Sequence, residues 1–292
     1  MTGTATPIVV GVDGSESSLE AVVWAVRECE RHQVSLRLVH VCAVPAVDYP
    51  DFMLSKNRVR EAFEDQGLAV LAAASTAGTD AASDVEVETA LVSGDVIPML
   101  LEESRTARMV VLGSRGLGGF TGQLVGSTAV GLSAHGRCPV VVARGNPADD
   151  GPVVVGVDGS PASEAAIGFA FEAASTRGVP LTAAMTWTDF VVDSPYSGMR
   201  LAIDWARVEE AEQRLLAERL AGWQEKFPDV HVDRLVLRDR PVRALLRLAE
   251  TAQLLVVGSR GHGGFGGMLL GSTSQALVYH APCPLAVVRP TS

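Results

Sequence analysis

The sequence predicts an α/β protein of two tandem doubly wound domains, each a five-stranded parallel sheet in the order 3-2-1-4-5 with helices on both faces. Three observations lead there. Residues 7–29, PIVVGVDGSESSLEAVVWAVREC, return at 152–174 as PVVVGVDGSPASEAAIGFAFEAA, an offset of 145. Residues 110–144, VVLGSRGLGGFTGQLVGSTAVGLSAHGRCPVVVAR, return at 255–289 as LVVGSRGHGGFGGMLLGSTSQALVYHAPCPLAVVR, at the same offset of 145. Matches at both ends of a constant period mark duplication of a whole domain rather than a short solenoid repeat. Within each copy, short apolar runs alternate with stretches of helical periodicity, the pattern of parallel strands joined by right-handed helical crossovers.

Taken in order, Ile8–Val12 is a continuous apolar run suited to a strand buried on both faces. Ser15 stands as an N-cap, and Leu19, Val22, Val23 and Val26 give residues 16–32 a helical stripe. A second strand is expected over 34–42, a helix over about 57–77, and a third, alternating strand over 84–91. A helix over 95–106, a strand at Met109–Leu112, a glycine-rich loop, a short helix from Ser127 and a last strand at 139–143 complete the copy. The second copy repeats this with strands near 153–157, 180–187, 230–237, 254–257 and 284–288, and a long Ala/Glu/Arg/Leu-rich helix over about 203–226. The segment GNPADDG, residues 145–151, has linker composition, which divides the chain into domains at 1–147 and 148–292.

The chain's 47% hydrophobic and 20% charged residues exclude a disordered chain. A formal net charge of −10 argues against nonspecific association with nucleic acid or anionic membranes. The first residues, MTGTATPIVVG, read as a loose tail rather than a signal peptide, and no apolar run approaches the ~20 residues of a bilayer span. Cys29, Cys42, Cys138 and Cys283 form no CxxC pair or metal-ligand cluster. They are expected as small buried hydrophobes in a reducing cytoplasm.

With strand order 3-2-1-4-5 the winding reverses between strands one and four, and a crevice opens there at the carboxyl ends, where open α/β sheets bind ligands. The two strongest repeated motifs meet at this place. One is the end of the first strand, Gly11 and Asp13, repeated as Gly156 and Asp158. The other is a loop of spacing G-x2-G-x9-G-S. It holds Gly113, Ser114, Arg115, Gly116, Leu117, Gly118 and Gly119, then Gly126, Ser127 and Thr128. Its second copy holds Gly258, Ser259, Arg260, Gly261, His262, Gly263 and Gly264, then Gly271, Ser272 and Thr273. Glycines let main-chain N–H groups approach an anion and tolerate φ > 0, and a helix N-terminus adds free N–H groups and a favourable dipole. Phosphate binding is the expectation. Neither loop contains the GxxxxGK[ST] of a P-loop or the lysine that motif requires, and neither follows the first strand as a dinucleotide fingerprint would.

Asp13 and Asp158 are read two ways: as acceptors for a ribose hydroxyl or adenine amine, or as Asx-turn residues. Arg115 and Arg260 either clamp a phosphate or point to solvent. The histidines, among them His40, His135 and His280, are assigned to packing or capping. Trp24, Trp187, Trp205 and Trp223 are assigned to core or interface anchoring. No catalytic constellation stands out.

An Asp after a VVGVDGS-type first strand, with G-x2-G-x9-G-[ST] after the fourth, resembles the ATP-binding class of universal stress proteins, once per copy and over almost the whole chain. The resemblance implies that the loop glycines and following Ser/Thr hold phosphates, that Asp13 and Asp158 contact the nucleoside, and that Val41 and Thr186 meet adenine through their backbone. Asp189 is a further candidate for the ribose. It implies one ATP per domain, with Mg²⁺ carried by the phosphates, a regulatory role in stress response or growth control, and an unidentified protein partner. In single-domain relatives two copies pair through the last strand. Here that implies an internal pseudo-dimer of 139–143 with 284–288, and association of two chains into a homodimer. The copies differ at Gly94 and Pro98, replaced by Asp239 and Arg243, so their affinities are expected to differ. Two other readings stay open: a nucleotide-hydrolysing or adenylyl-transferring enzyme of the same superfamily, and a chaperone-like module with vestigial sites. Slow hydrolysis is the most catalysis the residues suggest.

Overall fold

The computed structural model describes residues 6–43, 53–116, 126–145, 150–187, 205–261 and 269–290. The first copy runs β1 (Ile8–Gly11), α1 (Glu16–His32), β2 (Leu36–Cys42), α2 (Met53–Ala81), β3 (Val87–Ser93), α3 (Val96–Glu103), β4 (Met109–Gly113), α4 (Ser127–His135) and β5 (Val140–Ala143). The second runs β6 (Val153–Val157), α5 (Pro161–Arg177), β7 (Leu181–Trp187), α6 (Trp205–Lys226), β8 (Val232–Arg238), α7 (Pro241–Ala249), β9 (Leu254–Gly258), α8 (Ser272–His280) and β10 (Leu285–Val288).

The strands form one sheet, β3-β2-β1-β4-β5-β10-β9-β6-β7-β8. Each half has the expected order 3-2-1-4-5 with parallel neighbours. The halves join where β5 and β10 run antiparallel, Val140 opposite Val287, Val141 opposite Ala286 and Val142 opposite Leu285. This is the internal pairing expected of 139–143 and 284–288. It covers two apolar edges that would otherwise present unpaired backbone.

Burial explains why the central strands read as unbroken apolar runs. On one face, Ile8, Val10, Val111 and Val141 continue into Val153, Val155, Val256 and Ala286, so a single core under α1, α2, α5 and α6 crosses the domain boundary. On the other face Val9, Val110 and Val142 pack under α3 and α4, and Val154, Leu255 and Val287 under α7 and α8. Each of these buried Val, Leu and Ile side chains contributes roughly 1.5–3 kcal/mol. Phe171 is wholly buried and stacks with Trp223 and Phe227 at 6.3 and 5.9 Å, so Trp223 is the core anchor expected of it. That stack requires Gly168, where a Cβ would lie 2.5 Å from the Trp223 ring. Cys29, Cys42 and Cys283 are buried and Cys138 partly so, all as free thiols. Burial pushes the Cys29, Cys138 and Cys283 thiols up to about 12.

Three elements differ from expectation by three residues or more at one end. α2 begins and ends four residues beyond its predicted span, at Met53 and Ala81. β3 is Val87–Ser93 rather than 84–91. α3 stops at Glu103 rather than 106, where the Ser104 hydroxyl donates to Leu101 O at 2.6 Å and accepts Arg137 N–H at 3.0 Å.

Candidate functional site

The site grows from the carboxyl ends of β1 and β4. After β1 the chain must turn at once into α1. Gly14 provides the turn with φ +88°, and Asp13 Oδ1 accepts from Ser15 N at 3.0 Å and from Ser15 Oγ at 2.6 Å. Ser15 Oγ in turn accepts the Ser18 N–H at 3.2 Å, which is the N-cap predicted for α1. The second domain repeats the turn with Gly159 at φ +79°, Ser160 N to Asp158 Oδ1 at 3.0 Å and Ser163 N to Ser160 Oγ at 3.2 Å. Asp13 and Asp158 are thus Asx-turn residues through one carboxylate oxygen. The other oxygen faces the loop after the fourth strand: a Cβ on Gly116 would stand 2.7 Å from Asp13 Oδ2, and one on Gly261 would collide with Asp158 Oδ2. The Asx-turn reading of these aspartates is met by Oδ1, while Oδ2 faces the loop.

The first serines of α1 fasten that loop from below. Ser15 Oγ donates to Arg115 O at 3.2 Å, Ser17 Oγ also donates to Arg115 O, and Ser17 Oγ accepts Arg115 N–H at 3.2 Å. In the second domain Ser160 Oγ donates to Arg260 O at 3.1 Å, and Ala162 stands where the first has Ser17. The far end of the loop is closed by Gly126 N to Ser114 O at 3.3 Å and Gly271 N to Ser259 O at 2.8 Å. The Arg260 guanidinium donates through Nε to Leu269 O at 3.2 Å, spanning its own loop.

Of the described loop glycines, Gly113, Gly116, Gly258 and Gly261 are required for space, and none for left-handed backbone. Positive-φ glycines among the described residues are Gly14, Gly94, Gly145, Gly159 and Gly178; Gly113, Gly116, Gly126, Gly258, Gly261 and Gly271 are not among them. Gly113 and Gly258 let the strand end touch α1 and α5: a Cβ there would lie 2.6 Å from Ser17 backbone and 2.7 Å from Ala162 backbone. Gly126 is different. Nothing lies within 4 Å of its would-be Cβ, and it is the N-cap of α4 with no side-chain cap, as Gly271 is for α8. Among the described residues no side chain caps the first N–H groups of either helix, which leaves them open to an acceptor.

Each turn and loop borders a cleft. In the first domain it is lined by Gly11, Asp13, Val41, Gly113, Arg115, Gly116, Gly126 and Thr128, over an apolar floor of Val39, Val96 and Leu100. In the second it is lined by Gly156, Asp158, Thr186, Gly258, Arg260, Gly261, Gly271, Ser272 and Thr273, over Ala184, Pro241 and Leu245. The second encloses about 490 Å³, within the range of small-molecule sites, and the first about 110 Å³. Ser114, Ser127 and Ser259 do not line their clefts. Leu117, Gly118, Gly119, Asp189, His262, Gly263 and Gly264 lie outside the described residues. His40, expected to pack, does so, with Nδ1 2.8 Å from Val12 O, and it also lines the first cleft. The floor residues and the serines at 17, 18, 160 and 163 are not among the sequence candidates, although the repeated VDGSxxS holds three of those four serines in register. Asp239 and Arg243, the suspected departures, pair with each other at 2.6 Å.

The model of the universal stress protein family matches residues 4–144 and again 151–289. The chain belongs to the universal stress protein family. It is 42% identical over 308 residues to a universal stress protein of Mycobacterium tuberculosis (strain H37Rv), covering 97% of this chain and 94% of that one. A second universal stress protein of the same strain is 38% identical over 293 residues, covering 97% and 96%. These relatives run the length of both domains, so the tandem arrangement is shared with mycobacterial universal stress proteins. Among solved structures, a universal stress protein from Archaeoglobus fulgidus superposes with a TM-score of 0.73 at 20% identity, covering 99% of this chain and all of that one.

Proposed function

We infer that each domain of this universal stress protein binds one ATP, and that occupancy of the two clefts regulates its association with a partner in stress response or growth control. The carrying observation is the junction of three features in each copy: a helix N-terminus with no side-chain cap, a glycine loop bordering a cleft, and a carboxylate oxygen facing that loop; the second cleft, at about 490 Å³, has the room of a small-molecule site. The residues fit a nucleotide. Phosphates belong against the N–H groups of Ser127, Thr128, Ser272 and Thr273, and beside Gly126 there is open space. The ribose belongs near Asp13 and Asp158, and the base over Val39, Val41 and Leu100 or over Ala184, Thr186 and Leu245. Mg²⁺ arrives with the phosphates as their counter-ion.

Binding rather than turnover is the reading. Among the described cleft residues there is no lysine or cysteine, and the one histidine, His40, is engaged with Val12 O. Slow hydrolysis is the most turnover that this reading includes. A helix-capped anion site needs no basic surface, which agrees with the net charge of −10. Calorimetry and native mass spectrometry of the whole chain test this. Two ATP per chain are expected, with Gly116→Val and Gly261→Val each removing one. A folded double variant that still bound two would overturn it.

A further inference from the structure

We propose that Arg144 and Arg289 are positioning residues that work across the domain boundary, each holding the helix whose N-terminus forms the phosphate end of the opposite domain's cleft. The proposal rests on the nucleotide reading of the two clefts, and concerns what fixes their geometry.

Arg144 follows β5 and Arg289 follows β10, the two strands that join the domains, and they occupy equivalent places in the repeat. Because β5 and β10 are antiparallel, the exit of each strand lies beside the entry of the other. The helix that feeds that entry ends there too. Arg144 accordingly reaches the last turn of α8: Nη1 donates to Tyr279 O at 3.1 Å and to Ala281 O at 3.5 Å, and Nη2 donates to Val278 O. Arg289 Nη1 donates to Ala134 O in the last turn of α4. Both cations meet the carbonyl end of a helix, where the backbone partial charge is negative. Arg144 is held there at some expense, since its Nε is buried with no hydrogen-bond partner among the described residues.

The opposite ends of these same helices are the site. α8 starts at Ser272, which lines the second cleft with Thr273, and α4 starts at Ser127, with Thr128 lining the first. Neither has a side-chain cap at that end. Each helix has 9 residues, so the arginine acts about 13 Å from the phosphate end. A two-and-a-half-turn helix moves as a rod. Fixing its carbonyl end to the other domain fixes the direction in which its free N–H groups point. Each cleft is thus completed by a residue of the domain that does not contain it.

The test uses the full chain with one cleft disabled at a time and measures ATP and adenosine affinity by calorimetry. With Gly116→Val, only the second cleft binds; adding Arg144→Gln is expected to weaken ATP there by about three- to tenfold and leave adenosine unchanged. With Gly261→Val, Arg144→Gln should have a smaller effect on the remaining first cleft, and Arg289→Gln should show the mirror pattern. Arg144→Lys, which keeps a cation at the carbonyls, should recover part of the ATP affinity. An equal loss for ATP and adenosine would mean general loosening and would overturn the proposal. So would a larger loss in the arginine's own domain, or no loss. Should Arg144→Gln not fold, Arg289→Gln, which removes a single carbonyl contact, decides alone. A parent chain that bound no nucleotide would refute the functional reading, and this proposal with it, before any arginine was changed.

Discussion

At the scale of single residues, Asp13 shows how one side chain serves turn and site. Its Oδ1 closes the turn into α1 while Oδ2 faces Gly116. Asp13→Asn keeps an oxygen for the Ser15 N–H but removes the charge. We expect a melting temperature close to the parent's and ATP affinity at the first cleft about tenfold weaker, as for loss of one charge-assisted hydrogen bond. Asp13→Ala should lose both. If Asn and Ala lowered stability alike, Oδ1 would not be what closes the turn. The buried thiols permit a second expectation. With Cys29, Cys138 and Cys283 pushed up to about 12 against an ordinary 9.0, the unfolded chain loses these protons at lower pH than the folded one. Their contribution to stability is complete below 9 and is lost as pH rises toward 12. Urea midpoints followed through that interval should fall, and less steeply in Cys29→Ala.

Among the elements, α1 and α5 make a natural comparison. Both are 17-residue helices ending in a left-handed residue, which is Gly178 after α5 and Gln33, at φ 52°, after α1. A side chain in that conformation costs about 1 kcal/mol or more. Gln33→Gly should therefore raise the unfolding free energy by up to about 1 kcal/mol, read as a higher urea midpoint at unchanged slope, the more flexible unfolded chain offsetting part of the gain. Gly178→Gln should lower it, and since nothing lies within 4 Å of a Cβ there, the loss would report backbone conformation alone. What was legible in advance follows the same logic of local signal. β1, β4 and β5 are buried on both faces, and their unbroken apolar runs announce them. β3 and β8 are edge strands with half-exposed patterns, and β3 lies a few residues beyond its expected span. The loops after β4 and β9 were located by their repeated spacing, but the role of their glycines was not. A left-handed turn leaves a mark in sequence, whereas the packing of Gly113 on Ser17, which leaves no space for a Cβ, involves residues far apart along the chain. The grip of Ser17 on Arg115 was hidden for the same reason.

For the whole molecule, the decisive feature is that the two halves are alike in fold and unlike where they meet. At the α1–α5 contact, Glu28 and Arg177 form a salt bridge at 2.7 Å with side chains only 2% and 3% exposed, and Glu28 also holds Arg31 at 2.5 Å. Nearby, His32 lies 3.2 Å from Arg108, which pairs with Glu172. The repeat places Ala173 opposite Glu28 and His32 opposite Arg177, so two copies of either domain could not rebuild the Glu28–Arg177 pair. The network favours pairing of a first domain with a second over pairing of like domains. Removing one partner strands the other: Glu28→Ala should cost roughly 3–5 kcal/mol, and adding Arg177→Met should return much of it. The same cluster sets an acid limit. Burial, then Arg108, holds the His32 imidazole below its ordinary 6.5, against the opposing pull of Glu28 and Glu172. Below 6.5 the unfolded chain takes up a proton that the folded chain resists, so stability is full above that pH and is lost as pH falls through the lowered folded value. Chemical unfolding at a series of pH values below neutrality should show this decline, and His32→Gln should flatten it. A decline of undiminished slope in His32→Gln would assign the acid limit to other groups and leave the interface network without a role in it.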